Sequence, residues 1–324
     1  MLAMFDAVAP APALSAEEQK KLDEQKKLAD DFQKLDAQQA AEKARMTDAV
    51  RKDLAALAAK DFPSLRAALD AAMKSAHRTP GASERDKARH PADMLEFFKV
   101  KTTSKVLELD PGAGWYTELL APVLQKKGKL AVNGADPRGP RTERATFYAQ
   151  RTFGLLDKAP ELGAKVDWLM TPPPGPFVFA KELEGTFDVV LAFRALHNWQ
   201  RRGQLDANLA EVFRVLAPGG VFGVEAHRAA AGADPKVTAE KGYLPEAYVV
   251  ERAEAAGFVR EASSEMNANP KDTKDYADGV WALPPALRGG DKDKQRFLDI
   301  GESDRMTIRF VKPKKGAKLV KPKR

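Results

Sequence analysis

Cysteine is absent from this 324-residue chain, which rules out disulfides, thiolate metal sites and cysteine nucleophiles together. No apolar run approaches the ~18 residues that cross a bilayer, so no membrane-spanning helix is expected. There are only four histidines, scattered without the short spacing of ligand motifs, so no metal site is expected either. The chain holds no G-x-S-x-G elbow, no H-E-x-x-H and no P-loop, which leaves hydrolase, zinc-protease and NTPase chemistry without a foothold. Even the charge excess is local. The formal charge is +7, but seven of the 53 basic residues fall in the last 13 (KPKKGAKLVKPKR), leaving 46 against 46 acidic ones. The basic character is thus a tail, 313–324, expected to be solvated and disordered. The domain itself is not expected to bind nucleic acid.

Residues 1–14 (MLAMFDAVAPAPAL) are Ala/Pro-rich and lack the basic start and long apolar run of a secretory signal, so they are a loose terminus or a signal remnant. As it begins, the sequence points to the cytoplasm; an upstream start with a basic segment would turn the expectation toward export. From Ser15 to 77 the composition is charged and Ala/Gln-rich. Ser15 with Glu18 fits a capping box. Glu17–Lys21, Asp23–Lys27 and Asp30–Lys34 have the favourable i,i+4 orientation. The spacing predicts a long exposed helix, a break at Phe62-Pro63, then a shorter helix. This extension packs on the domain or on a second copy of the chain. His77 is expected at the surface.

The chain is organised around VLELDPGAGWYTELL, Val106 to Leu120. A short apolar strand ends in the turn Gly112-Ala113-Gly114, and a helix-compatible segment follows. That arrangement brings backbone N–H groups and a helix N-terminus up to a nucleotide-like ligand. Glycine fits there because a Cβ would collide with the ligand or demand an unfavourable φ. A dinucleotide fingerprint would need a third glycine where Thr117 stands. Around this stretch, strands are predicted at 105–109, 129–133, 165–170, 187–193, 219–226, 257–263 and 304–311. Helices are predicted at 115–125, 140–150, 203–216 and 245–256, with Pro91 in the first turn of ADMLEFF. FDVVLAFRALHNW (187–199) reads as a buried strand and a polar-aromatic loop, and TPPPGP (171–176) as loop. Alternating strands and helices imply a mainly parallel α/β sheet with its crevice at the strand C-termini.

The E-x-x-x-G-x-G run resembles motif I of the class I S-adenosylmethionine (SAM) methyltransferases, with Asp110 where that family's first glycine belongs. FDVVLAFRALHNW and LAPGGVFGVEAHR (216–228), in this order, resemble the family's fourth and fifth strands. RHPADMLEFF (89–98), GAGWYTELLAP (112–122), ALHNW (195–199) and NPKDTKDYADGVW (269–281) resemble a bacterial group of methyltransferases, many with export signals. The likeness spans residues 84–312, within a domain set at 78–312. It implies a Rossmann-like seven-stranded sheet with helices on both faces, its last strand antiparallel and inserted beside its neighbour, and SAM over the glycine turn. The implied cofactor set is Glu108, Asp110, Gly112, Ala113, Gly114, Asn133, Asp136, Thr171, Phe193 and Arg194. Asn133 replaces the carboxylate that usually ends the second strand, with Asp136 as a substitute.

For chemistry, His197 follows the fourth strand with Asn198 and Trp199 beside it. It is either a proton acceptor or a strand-end cap. His227, ending the fifth strand, is a second base or a structural hydrogen bond. Arg89 and His90 form a lid or a helix start. Tyr116, Trp199, Asn269 and Asp272 are expected around the acceptor pocket, in or beside an insertion of functional length. The reading that leads is methyl transfer to a small molecule. A degenerate binding or scaffold module comes second, and a nucleotide-dependent oxidoreductase third.

Overall fold

Ser15 opens the described part of the chain and caps its first helix. Its Oγ accepts from Glu18 N at 3.3 Å while the Glu18 carboxylate accepts from Ser15 N at 2.8 Å. The computed structural model describes residues 15–171 and 173–314. The expectations for 1–14 and for the tail beyond 314 lie outside those residues. The long helix of the extension is in fact two, α1 (Ala16–Arg45) and α2 (Asp48–Ala59). Thr47 takes an extended conformation and its Oγ1 accepts from Val50 N at 3.4 Å, so a cap interrupts what the apolar spacing of Met46, Val50, Leu54 and Leu57 continues. The break at Phe62-Pro63 holds, and Ser64 caps α3 (Leu65–Lys74). Two short helices follow, α4 (Asp86–Arg89) and α5 (Pro91–Phe97), with Pro91 at the start of the latter.

The domain continues as β1 (Lys105–Leu109), α6 (Thr117–Leu124), β2 (Lys129–Gly134), α7 (Arg144–Leu156), α8 (Pro160–Gly163), β3 (Val166–Met170) and β4 (Phe187–Phe193). Then come α9 (Leu196–Arg201), α10 (Leu205–Val215), β5 (Leu216–His227), α11 (Pro235–Glu240), α12 (Glu246–Ala255), β6 (Val259–Ser264), α13 (Lys294–Ile300) and β7 (Arg305–Val311). Two readings change. ALHNW is the start of a helix that buries Leu196 and Trp199 and not a loop, and α7 begins four residues late, beyond Gly139-Pro140. The seven strands form one sheet in the order β3-β2-β1-β4-β5-β7-β6. All neighbours are parallel except β7, which runs antiparallel between β5 and β6. This is the class I methyltransferase arrangement that the resemblance implies. Alternate residues feed two cores: Val106, Val132 and Leu191 meet α5 and α6 on one face, while Leu107, Val190 and Phe222 meet α10 and α12 on the other. Among the described residues, no helix is long and apolar enough to cross a membrane.

The extension packs on its own domain. Phe32 meets Phe147 edge-on at 5.4 Å, and Asp31 and Asp36 pair with Arg144 and Arg141 at 2.5 and 2.6 Å. Deeper in the seam Lys158 is fully buried, its Nζ donating to Glu118 Oε1 at 2.5 Å, His77 O at 2.6 Å and Glu42 Oε2 at 3.2 Å. His77 is buried here and not at the surface. Its Nε2 lies 3.0 Å from Glu118 O and its Nδ1 2.8 Å from Ser75 Oγ, and burial lowers its pKa. Helical spacing could not show this, because His77 lies beyond the end of α3.

Removing one member of a buried pair leaves the other charge without compensation. Lys158→Ala is therefore expected to cost about 3–5 kcal/mol in urea unfolding, and Lys158→Met with Glu118→Leu far less. A loss below about 1 kcal/mol for the single variant would mean that this seam behaves like a surface pair.

Candidate functional site

Asp110, immediately after β1, is in the left-handed region with φ 46°. Its N–H donates to Asn133 Oδ1 at 2.7 Å, and its carboxylate accepts from Trp199 Nε1, also at 2.7 Å. The carboxylate is thus bound to α9, tying β1, β2 and α9 together at the strand ends. Burial raises its pKa against the Trp199 bond. Trp199 is correspondingly buried and not at the mouth of the crevice.

The two glycines that follow serve different ends. Gly112 has φ 64°, and a Cβ on it would meet nothing nearer than Asp110 O at 4.0 Å, so its open side faces free space. Gly114 has φ 74°, and a Cβ there would sit 2.3 Å from Leu155 Cδ2 of α7. The close approach is thus to a helix. Thr152 of α7 also donates to Gly112 O at 2.7 Å, bracing the turn from behind, and Ala113 is exposed between them. Thr117, where a third glycine would stand, donates its hydroxyl to Glu108 at 2.7 Å.

At the ends of β2 and β3, Asn133 is occupied on both sides: Oδ1 accepts from Asp110 N, and Nδ2 donates to Thr171 Oγ1 at 3.1 Å. Asp136 is half-buried and accepts from Arg138 N at 2.9 Å in a tight local turn. Gly112, Thr171, Asp136 and Arg194 all keep partial exposure around the same strand ends.

Beyond β4 the site becomes a buried charge network. Phe193 stacks on Tyr116, with centroids 3.7 Å apart and planes at 10°. Arg194, with φ 56°, pairs with Glu225 at 2.6 Å; Arg305 lies 2.9 Å from Glu225 and 2.8 Å from Glu302; Arg89 donates to Glu302 at 3.0 Å. Tyr116 Oη donates to Arg89 O at 3.2 Å, and the Arg89 guanidinium lies over Trp115 at 4.8 Å. Burial, then Arg194, brings Arg89 down to about 10. Burial would raise Glu302, but Arg89, Arg305 and Arg194 hold it low. Arg89 is therefore a buried strut and not a lid. His90 beside it takes φ 44° between α4 and α5, its N–H closing α4 on Asp86 O at 2.9 Å while its side chain makes no capping bond.

The two histidines converge, their ring centroids 5.7 Å apart. His227 Nδ1 lies 2.6 Å from Ser303 Oγ, and Tyr243 and Trp281 flank the pair at 6.1 Å from His227 and 5.9 Å from His197. Burial, then Arg201, Arg202 and Arg194, pushes His197 down to about 3. Burial and His197 with Arg194 push His227 well below its ordinary value. Both rings are neutral near pH 7. Asn198 is half-buried beside them. Asn269 and Asp272 are consumed by the loop that they hold. Asn269 Nδ2 donates to Ile300 O and Glu302 O, while Asp272 accepts from Tyr243 Oη, Lys274 N and Asp304 N. From that loop it is Trp281 that reaches His197. Glu302 and Arg305 escaped the sequence reading, although GESDRM (301–306) is a polar run at the start of an otherwise apolar strand.

Residues 180–224, covering β4 to most of β5, match a family model described as a methyltransferase domain. A curated relative, sterol 24-C-methyltransferase erg6 of Aspergillus fumigatus, is 31% identical over 137 residues. That match takes in 42% of this chain and spans about a third (31%) of the relative's length. Among solved structures, a SAM-dependent methyltransferase from Aquifex aeolicus aligns with 71% of this chain and 93% of its own at 16% identity and a TM-score of 0.45. A 1,6-didemethyltoxoflavin-N1-methyltransferase from Burkholderia thailandensis aligns with 71% and 80% at 14% identity and a TM-score of 0.41. At such scores these two likenesses carry no further conclusion, and the family match bears on the β4–α10–β5 segment of the sheet.

Burial pushes the Glu108 carboxyl up to about 7, against the Thr117 bond and the Arg194 charge. The folded protein thus keeps a proton that the unfolded chain, titrating near 4.5, has lost, so stability falls as pH rises from 4.5 to 7 and then levels off. Glu108→Gln keeps an acceptor for Thr117 and removes the cost of ionisation. Thermal melts are expected to show it stabilised by at most about 3 kcal/mol at pH ~8.5 and unchanged near pH ~4.5. A pH-independent difference would contradict this.

Proposed function

We propose that this protein transfers a methyl group from SAM to a small-molecule acceptor. The observation that carries the reading is the open glycine turn at the C-terminal end of β1 in a sheet of this topology, backed by the methyltransferase-domain match on the adjoining strands. The residues fit such a ligand in part. Gly112 lies open along one side, and Arg194, at the end of β4, keeps 19% of its side chain exposed while it pairs with Glu225. Asp136 and Thr171 offer side-chain oxygens at the ends of β2 and β3. Bound there, SAM would supply a methyl carbon already activated by a sulfonium. The protein's own part is to position the acceptor and take its proton.

His197 and His227 suit the first part as neutral rings, since the burial that keeps them uncharged also makes them weak bases. Such an imidazole accepts a hydrogen bond from an O–H or N–H and orients it for attack on the methyl carbon. His227, anchored through Nδ1 to Ser303, has Nε2 left for the acceptor. Tyr243 and Trp281 supply apolar walls. The charge balance outside the tail favours a small molecule over nucleic acid.

One observation favours the second reading, a binding module of the same fold without turnover. Asn133, at the end of β2, is neutral and has both ends of its amide engaged, leaving Asp136 as the nearby carboxylate for a ribose. Titration calorimetry with SAM, S-adenosylhomocysteine and NAD discriminates. Micromolar binding of the first two, abolished by Gly112→Arg, is the expected result; binding of NAD alone would overturn it. A screen for release of S-adenosylhomocysteine then separates turnover from binding. His197→Ala is expected to retain affinity for SAM and lose transfer.

A further inference from the structure

A second cavity lies behind the glycine turn, between the extension and the domain. It measures ≈ 230 Å³ and is walled by Gln38 and Glu42 of α1, Arg85, Trp115, and Arg151 of α7. It touches the turn only through Ala113 and includes none of Glu108, Asn133, Asp136, Thr171 or Arg194. It is therefore distinct from the crevice at the strand ends.

The charges around it are unequally matched. Nearby arginines have carboxylate partners: Arg45 with Glu42, Arg78 with Asp86, Arg89 with Glu302 and Arg144 with Asp31. The two that line the cavity, Arg85 and Arg151, have none among the described residues, and neither guanidinium donates a hydrogen bond to any of them, that of Arg151 lying over the Phe147 ring at 5.9 Å. The acids in the wall are already neutralised. Glu42 is held by Arg45 and Lys158, and Glu118 by Lys158 and by the N–H and hydroxyl of Thr79. Burial lowers the pKa of Arg151, and the Arg85 charge adds to it against the opposing effects of Tyr148 and Asp31. Trp115 closes one side, its indole N–H given to Ala82 O.

We propose that this cavity is a binding site for a small oxyanion, a phosphate- or carboxylate-bearing molecule held between Arg85 and Arg151. Guanidinium forks match both anions in shape and charge. The volume is below the ~300 Å³ at which drug-sized ligand pockets begin, which excludes a nucleotide. The occupant bridges α4, through its neighbour Arg85, to α7. Thr152, next to Arg151, holds Gly112 O, so the ligand stiffens the brace behind the turn.

The test is thermal unfolding of the full chain at fixed ionic strength with millimolar inorganic phosphate or succinate replacing chloride. A ligand that binds only the folded state raises Tm with concentration. A rise with either anion, lost in Arg85→Gln and in Arg151→Gln, is expected; which anion acts tells whether phosphate or carboxylate is the natural group. No rise with either, or a rise undiminished in Arg85→Gln, overturns the proposal. SAM takes no part in the measurement, so its outcome is independent of the catalytic reading.

Discussion

The left-handed backbone at Asp110 is the constraint on which the site depends. A non-glycine residue with φ near 46° stays there only when its surroundings over-determine it. Here they do so twice, through the amide of Asn133 and the indole of Trp199. The strain is repaid in geometry. The turn leaves β1 with Gly112 open to the crevice and Gly114 pressed on α7, while β2 and α9 are fixed to the same residue. The carboxylate that looks hostile to a zwitterionic ligand is turned away into a hydrogen bond.

Around this tie the protein separates two electrostatic environments. On the crevice side, Glu225 and Glu302 hold Arg194, Arg305 and Arg89 in one buried chain that brings β4, β5, β7 and α4 together. Because His227 stands opposite Arg305 in the β5–β7 register, the antiparallel insertion of β7 is what brings these charges to the histidines. On the extension side, Lys158 and Arg45 neutralise Glu118 and Glu42, and Arg85 and Arg151 have no carboxylate partner among the described residues. Breaking a buried pair costs far more than the pair contributes, so both networks fix position first and stability second.

Much of the fold is legible in the sequence because its strands are short apolar runs bounded by Gly, Pro and charge. Even β7 shows its alternation. What escapes is set by contacts across long sequence separations. Trp199 lies 89 residues from the Asp110 that it binds, so its place in the site looked like that of an acceptor-pocket wall. Asn269 and Asp272, polar and in a long insertion, resemble pocket residues until their partners on the backbone are seen. The break at Thr47 is hidden for a local reason: Met46, Val50, Leu54 and Leu57 keep helical spacing across it, and one threonine decides the cap. His77 has no periodic pattern to assign it to a face. His197 and His227 were legible as candidates from their positions after β4 and β5, but not their approach to each other.

Asp110 shapes the turn and not the charge that the ligand meets. Calorimetric affinity for S-adenosylhomocysteine in Asp110→Asn and Trp199→Phe measures this directly. Asparagine keeps an oxygen for the Trp199 indole, so affinity is expected to stay within about threefold, whereas Trp199→Phe, which breaks the tie, is expected to weaken it by about tenfold or more. A large gain in affinity for Asp110→Asn, with Trp199→Phe unchanged, would show that the carboxylate repels the ligand and that the tie is incidental.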